Sequence, residues 1–311
     1  MGHATRCVPI IELLSENNRV ILGVSDVNRL FFEDHFPLLQ KINMPTYGIR
    51  YSKRFPLLLK LILQVPNVLR VLKNENTLLK TLIAHHHINL VISDNRFGCF
   101  SKTVKSIFIT HQLNLQAPFI SGLANAINRY CIQHFNEIWV PDYQEAERRL
   151  SGKLSDSSRI KTPVHFIGPQ SALQKYTKSD PPERKETLIL LSGLEPQRSI
   201  LENKLIQALG GNTKNIILVR GSEKPLVGIP SGIEVHNFVY GQKLAELIVQ
   251  SNRVICRSGY STLMDLHVLG KKDLVLIPTP GQSEQEYLAE YWAQKFKARV
   301  YTQTEITKGV F

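Results

Sequence analysis

Cysteine is scarce and scattered in this chain. Its 311 residues include four, Cys7, Cys99, Cys131 and Cys256, with no Cys-x-x-Cys pair. That excludes a zinc ribbon and a dense disulfide framework, and it points to a reducing compartment. Long apolar runs are also missing. The most apolar stretch, Phe55 to Leu72, is interrupted by Pro56, Lys60, Pro66 and Arg70, so a spanning helix is not expected. The first residues, Met-Gly-His-Ala, lack the basic stretch and apolar core of a secretory signal. A cytoplasmic location follows as the expectation. The 18 glycines and 16 prolines are too few for collagen-like or low-complexity sequence. With 43% hydrophobic and 21% charged residues, disorder is excluded as well.

Acidic residues are the other shortage. There are 26, against 38 Lys plus Arg, and the formal net charge is +12. Up to Ile167 there are 20 basic and 12 acidic residues, and beyond it 18 and 14. A basic surplus says little about fold but favours anionic partners. Nucleic acid, acidic lipid and phosphorylated small molecules all meet that description. No recognition-helix or RNA-binding motif is present, so nucleic acid is not an expected partner.

Short apolar strands alternate with helices along most of the chain. Strand patterns fall at Arg19–Ser25, Ile88–Ser93, Ser106–Thr110, Glu137–Val140, Thr187–Leu191, Asn215–Val219, Ile233–His236, Arg253–Cys256 and Asp273–Ile277. Helical patterns fall at Ala4–Glu16, Phe55–His86, Ile120–His134, Ser199–Leu209, Gln242–Gln250, Ser261–Leu269 and Glu284–Gln294. Such alternation predicts parallel sheets covered by helices on both faces. Residues 168–185 are polar and aperiodic and contain Pro169, Pro181 and Pro182, a linker pattern. The predicted organisation is two doubly wound domains, residues 1–167 and 186–311, joined by residues 168–185.

Two strand-to-helix junctions in the second half share a Ser-Gly pair. One is Ser192-Gly193, with Arg198 following. The other is Ser258-Gly259, preceded by Arg257. Unpaired amides and the helix dipole make such a junction suitable for phosphate, and glycine permits close approach. The same dipeptide also serves as a plain tight turn. Asp265 lies seven residues after Ser258, so it can share that helix face and accept ribose hydroxyls. Downstream, Pro278-Thr279-Pro280-Gly281 forms a rigid loop before Gln282 to Tyr287. Gln and Glu there suit sugar hydroxyls, or simply a helix start with Ser283 as its cap.

The run Val254 to Ala289, together with Asn237-Phe238-Val239-Tyr240, resembles the donor-binding C-terminal region of glycosyltransferase family 28. Gly2-His3 and Thr110-His111-Gln112 followed by Gly122-Leu123-Ala124-Asn125 resemble its N-terminal region more faintly. The resemblance implies a GT-B architecture of two Rossmann-like domains facing a cleft, with the donor on the second. It implies inverting transfer with no bound metal or other cofactor, from a nucleotide-sugar, expected to be a UDP-sugar. Cell-surface glycan or a lipid-linked compound is the implied acceptor, and N-acetylglucosamine the first sugar suggested. By position, Ser192, Gly193, Ser258 and Gly259 hold the diphosphate, Val239 borders the base, Asp265 binds ribose, and Gln285 and Glu286 read the sugar. Arg198 and Arg257 are added on charge and placement. The sequence departs from the family's pattern in three places: SGLEPQRS is poorer in glycine, Asp265 replaces Glu, and Glu286 replaces Gln.

An inverting transfer needs a base for the acceptor hydroxyl. His3 is the first choice, because imidazole titrates near neutrality and the matched loop faces the cleft. Asp94, after the strand Ile88–Ser93, is the second, and His111 a third. The tract His85-His86-His87 is read as a helix end rather than a metal site. Arg50, Lys53, Arg54, Lys60, Arg70 and Lys73 surround Phe55–Leu72, which suits an anionic membrane surface or a buried helix pair with a basic rim. The first domain is expected to lack its opening strand, and the second to be cut short at its end. Rival readings are an epimerase or hydrolase of nucleotide-sugars on the same fold, and an inactive truncated homologue.

Overall fold

The computed structural model describes residues 2–46, 57–116, 121–176, 184–210, 214–223 and 228–311. The side chains of 2–3, 57–65, 184–185 and 308 are outside that description. The first part runs α1 (Gly2–Ser15), β1 (Ile21–Val24), α2 (Arg29–His35), β2 (Gln40–Asn43), α3 (Leu57–His86), β3 (Leu90–Asp94), β4 (Lys105–Ile109), α4 (Ser121–Ile132), β5 (Glu137–Val140) and β6 (Val164–Phe166). The second runs β7 (Arg184–Leu190), α5 (Gln197–Leu209), β8 (Ile216–Val219), β9 (Ile233–His236), α6 (Gly241–Gln250), β10 (Ser251–Cys256), α7 (Tyr260–Val268), β11 (Leu274–Leu276), α8 (Ser283–Phe296) and β12 (Arg299–Val300).

Every strand pairing is parallel. The second sheet has the order β12-β11-β10-β7-β8-β9. Its central strands are apolar on both faces, as a sheet covered by helices on each side requires. Leu188 and Ile189 of β7 and Val254, Ile255 and Cys256 of β10 are buried. One face packs against α6, α7 and α8 through Leu247, Leu263, Leu266, Leu288 and Trp292. The other packs against α5 through Leu201, Leu205 and Leu209. Helix α5 stops at Gly210, whose φ of 53° is the left-handed cap that glycine favours.

The first part holds two parallel sheets, β1-β2 and β3-β4-β5-β6. Among the described residues β1 and β3 are not paired with each other. Leu22 and Val24 of β1 pack on α1 and α2, and Phe108 and Ile138 centre the core of the larger sheet. Gly2-His3, matched in sequence to the end of a loop, begin helix α1 instead. The helical stretch Phe55–His86 holds a 30-residue helix, α3, with Pro66 inside it. Elements α2, β2 and β6 were not visible in the sequence, being short and only partly buried.

The segment after β5 belongs to the second core as much as the first. Leu150, Leu154 and Leu173 are buried in the cluster built on β10, α7 and α8. Asp142 organises this segment, its carboxylate accepting bonds from the Leu150 and Ser151 amides and the Ser151 hydroxyl. The chain beyond Asp142 is thereby presented to α8. The Trp292 indole donates to the Leu150 carbonyl at 2.9 Å and the Tyr291 hydroxyl to the Arg149 carbonyl at 2.8 Å. Among the described residues no helix is long and apolar enough to cross a membrane.

Candidate functional site

The two Ser-Gly junctions lie side by side. Strands β7 and β10 are neighbours, with Leu190 opposite Cys256, and the strand order turns between them. From β7 the chain proceeds to β8 and β9 on one side, and β10 leads to β11 and β12 on the other. A doubly wound sheet opens its ligand crevice at this switch point, beyond the carboxyl ends of the strands. Ser192-Gly193 follows β7 and Ser258-Gly259 follows β10. Gly193 has a φ of 102°, a value closed to ordinary side chains. A Cβ placed on Gly193 or Gly259 meets nothing within 4 Å, so both glycines front open space. Gly259 caps the N-terminus of α7, whose first amides and dipole suit an anion.

Several side chains assigned to ligand binding are engaged by the protein itself. The Ser258 hydroxyl donates to the Gln285 carbonyl at 2.7 Å, so what Ser258 offers a ligand is its main chain. Arg198 is a correction. Its guanidinium, 3% exposed, binds Glu195, Glu202, the Ser199 hydroxyl and the Arg220 carbonyl. Glu202 also accepts from Arg220 at 2.6 Å. A carboxylate between two buried cations makes this network structural. Arg257 is a second correction. It donates to the carbonyls of Ile277, Pro278 and Gln197 and to Gln303 Oε1. Burial without a paired carboxylate pulls it down to about 10. It ties β10, β11, α5 and the segment after β12 together under the crevice.

The other residues expected on the donor side lie on α7, after β9 and at the start of α8. Asp265 on α7 accepts a bond from the Ser171 hydroxyl, and desolvation pushes its carboxyl up to about 7. Val239, between β9 and α6, is partly buried against the core that includes α6. Gln285 accepts from the Thr279 amide at 2.9 Å and donates to Gln282. Glu286 accepts from the Gly281 amide at 2.9 Å. Gln285 and Glu286 thus pin the Pro-Gly loop before α8, while Glu286 remains exposed.

Across the cleft the arrangement differs from expectation. His3 has its side chain outside the described residues, as do Arg50, Lys53, Arg54 and Lys60. Asp94, the second candidate base, is ion-paired to the buried Arg6 of α1. His111, placed third in sequence, sits at the centre. Its Nδ1 lies 3.1 Å from Arg6 Nη1, and its ring stacks on Tyr260 with centroids 4.0 Å apart. Its Nε2 lies 2.8 Å from Oε1 of Glu284 at the start of α8. Sequence reasoning missed Arg6, Tyr260 and Glu284. None carries a motif, although Tyr260 and Glu284 both sit within the run Val254 to Ala289 that carried the resemblance. Among the described residues no cluster of three or more His, Cys, Asp or Glu is arranged for a metal ion.

Parallel sheets on both sides of a cleft, with paired Ser-Gly junctions at one switch point, are the arrangement of a two-domain Rossmann-like fold. Residues 178–310 match the family model for the glycosyltransferase family 28 C-terminal domain. None of the curated proteins matches the chain in sequence. Solved structures share the fold over nearly its whole length. The glycotransferase of kitacinnamycin is 14% identical, with a TM-score of 0.69 over 99% of this chain and 85% of that one. The spinosyn rhamnosyltransferase SpnG, complexed with thymidine diphosphate, is 11% identical, with a TM-score of 0.63 over 96% and 83%. MurG of Acinetobacter baumannii is 11% identical, with a TM-score of 0.55 over 99% and 85%.

Proposed function

We propose that the protein carries out inverting, metal-independent transfer of a sugar, with N-acetylglucosamine the first candidate, from a UDP-sugar to a cell-surface glycan or lipid-linked acceptor. The observation that carries the reading is the pairing of Ser192-Gly193 and Ser258-Gly259 on adjacent strands β7 and β10, within the region that matches the family 28 model. A diphosphate placed there faces the amides of α7, and negative charge developing on the leaving nucleotide is stabilised without a cation. Asp265 accepts the ribose hydroxyls in exchange for Ser171, Val239 borders the base, and Gln285 and Glu286 meet the sugar. The acceptor hydroxyl loses its proton to a first-domain base, its oxygen attacks the anomeric carbon from the opposite face, and the bond to the diphosphate breaks. His3 is the base in this reading, since Arg6 occupies Asp94. A lipid-linked acceptor brings the enzyme to the cytoplasmic face of a membrane as a peripheral protein, with anionic lipid as the surface partner.

The test is turnover of UDP-N-acetylglucosamine and other UDP- and thymidine-diphosphate-sugars with and without a lipid-linked acceptor, and with chelator present. Acceptor-dependent nucleotide release, an inverted anomeric centre by NMR and insensitivity to chelator support the proposal. A retained centre contradicts it. Conversion of the donor alone to an epimer assigns the protein to the rival class.

A further inference from the structure

His111 joins the two domains through a chain of four side chains. Asp94 at the end of β3 holds Arg6 of α1. Arg6 Nη1 lies 3.1 Å from His111 Nδ1. A guanidinium only donates, so Nδ1 carries the lone pair and the ring proton sits on Nε2. That proton is given to Glu284 Oε1 at 2.8 Å. The ring is further fixed by stacking on Tyr260, interplanar angle 9°, and Tyr260 is itself anchored by its hydroxyl on the Pro141 carbonyl at 2.6 Å. His111 is therefore oriented from three sides and only 3% exposed.

With its proton on Nε2, His111 cannot accept another there, so it is not arranged as the base. Its partner Glu284 is the member of the chain that reaches solvent, 34% exposed. Glu284 adjoins Gln285, which is bound to Thr279 through its side chain and to Ser258 through its carbonyl. The hydroxyl of neighbouring Ser283 donates to the Gln116 carbonyl of the first domain. Two adjacent residues at the start of α8 are thus gripped from across the cleft, beside the Ser258-Gly259 junction.

We propose that His111 is a positioning residue that sets Glu284 at the start of α8, so the sugar end of the donor site is complete only when the domains are closed. This rests on the reading that the second domain holds a nucleotide-sugar. The nucleotide end, built by β7, β10 and α7, is expected to bind without it.

The test compares the full chain with His111→Ala and His111→Gln, the latter retaining an N–H near the Nε2 position. Amide hydrogen exchange, UDP binding and donor kinetics are followed together. In His111→Ala, exchange of amides 279–287 rises by about tenfold or more, the loss of a hydrogen bond to a charged group. Amides of β7 and β10 are unchanged, and UDP affinity stays within about twofold. The donor KM rises by about tenfold with a smaller change in kcat, and His111→Gln recovers part of both effects. Unchanged exchange at 279–287, or loss of protection throughout the second sheet, overturns the proposal. If the wild type binds no nucleotide, the donor reading fails and takes the sugar-site claim with it. The exchange pattern still decides whether His111 sets Glu284.

Discussion

The imidazole Nε2 of His111 lies 2.8 Å from Oε1 of Glu284, and the two residues come from opposite sides of the cleft. One follows strand β4 and the other opens helix α8. Tyr240 on Asp34 is a second polar link between the domains, and Lys175 of the linker reaches Glu12, each at 2.8 Å. His111–Glu284 differs in being largely buried and braced by Arg6 and Tyr260. The exposed pairs contribute little in water.

Arg198 tests whether the basic residues near the first junction serve the ligand or the fold. Glu202 lies between Arg198 and Arg220, and all three are 3% exposed. Glu202→Ala removes the buried carboxylate that Arg198 and Arg220 share and is expected to lower stability by about 3 kcal/mol. Arg198→Ala is expected to lower the melting temperature while leaving UDP affinity of the folded protein unchanged. Denaturant unfolding and calorimetric titration separate the two effects.

Asp265 gives the protein a pH dependence of definite sign. Its carboxyl is raised from 3.8 to about 7 by desolvation, so between those values the folded state holds a proton that the unfolded state has released. The stability from this group is full below pH 3.8 and is lost as pH rises through about 7. Asp265→Asn removes that loss. Its melting temperature is expected to exceed the wild type's at pH 8 and to vary less with pH between 4 and 7. Thermal unfolding across that range, without nucleotide, makes the comparison.

Gly152 reports on the seam between the segment after β5 and α8. Its φ is 56°, and an added Cβ meets the Tyr291 ring at 2.9 Å. Gly152→Ala therefore combines left-handed strain with overlap at the interface. The expected loss is about 1–3 kcal/mol, read by unfolding. Enhanced proteolysis of the 142–155 segment is expected to accompany it.

The second domain was largely legible in sequence. Val254-Ile255-Cys256 and Leu188-Ile189 are apolar on both faces, as central parallel strands must be, and the Ser-Gly turns mark the switch point where their strands pair. What could not be read was the use of individual charges. Arg198 and Arg257 stand beside phosphate-type turns in sequence, yet Arg198 pairs with its chain neighbours Glu195 and Glu202, and Arg257 meets main-chain carbonyls that only folding brings near. The same holds across the cleft. Asp94 and His111 were visible as polar residues after strands, but Arg6, which governs both, lies in a helix with no motif. Gln40–Asn43 and Val164–Phe166 were missed because short, half-exposed strands carry no strong apolar signal.

The most direct measurement of the central claim is thermal unfolding with increasing UDP, for the wild type and Gly259→Asp. A Cβ at Gly259 meets open space, so the variant is expected to fold, while its carboxylate stands where the diphosphate would lie. The account predicts a melting temperature that rises with UDP, equivalent to about 2.7 kcal/mol at one hundred times Kd, and a shift that is lost in Gly259→Asp. No shift with UDP or thymidine diphosphate, or an equal shift in the variant, would contradict it.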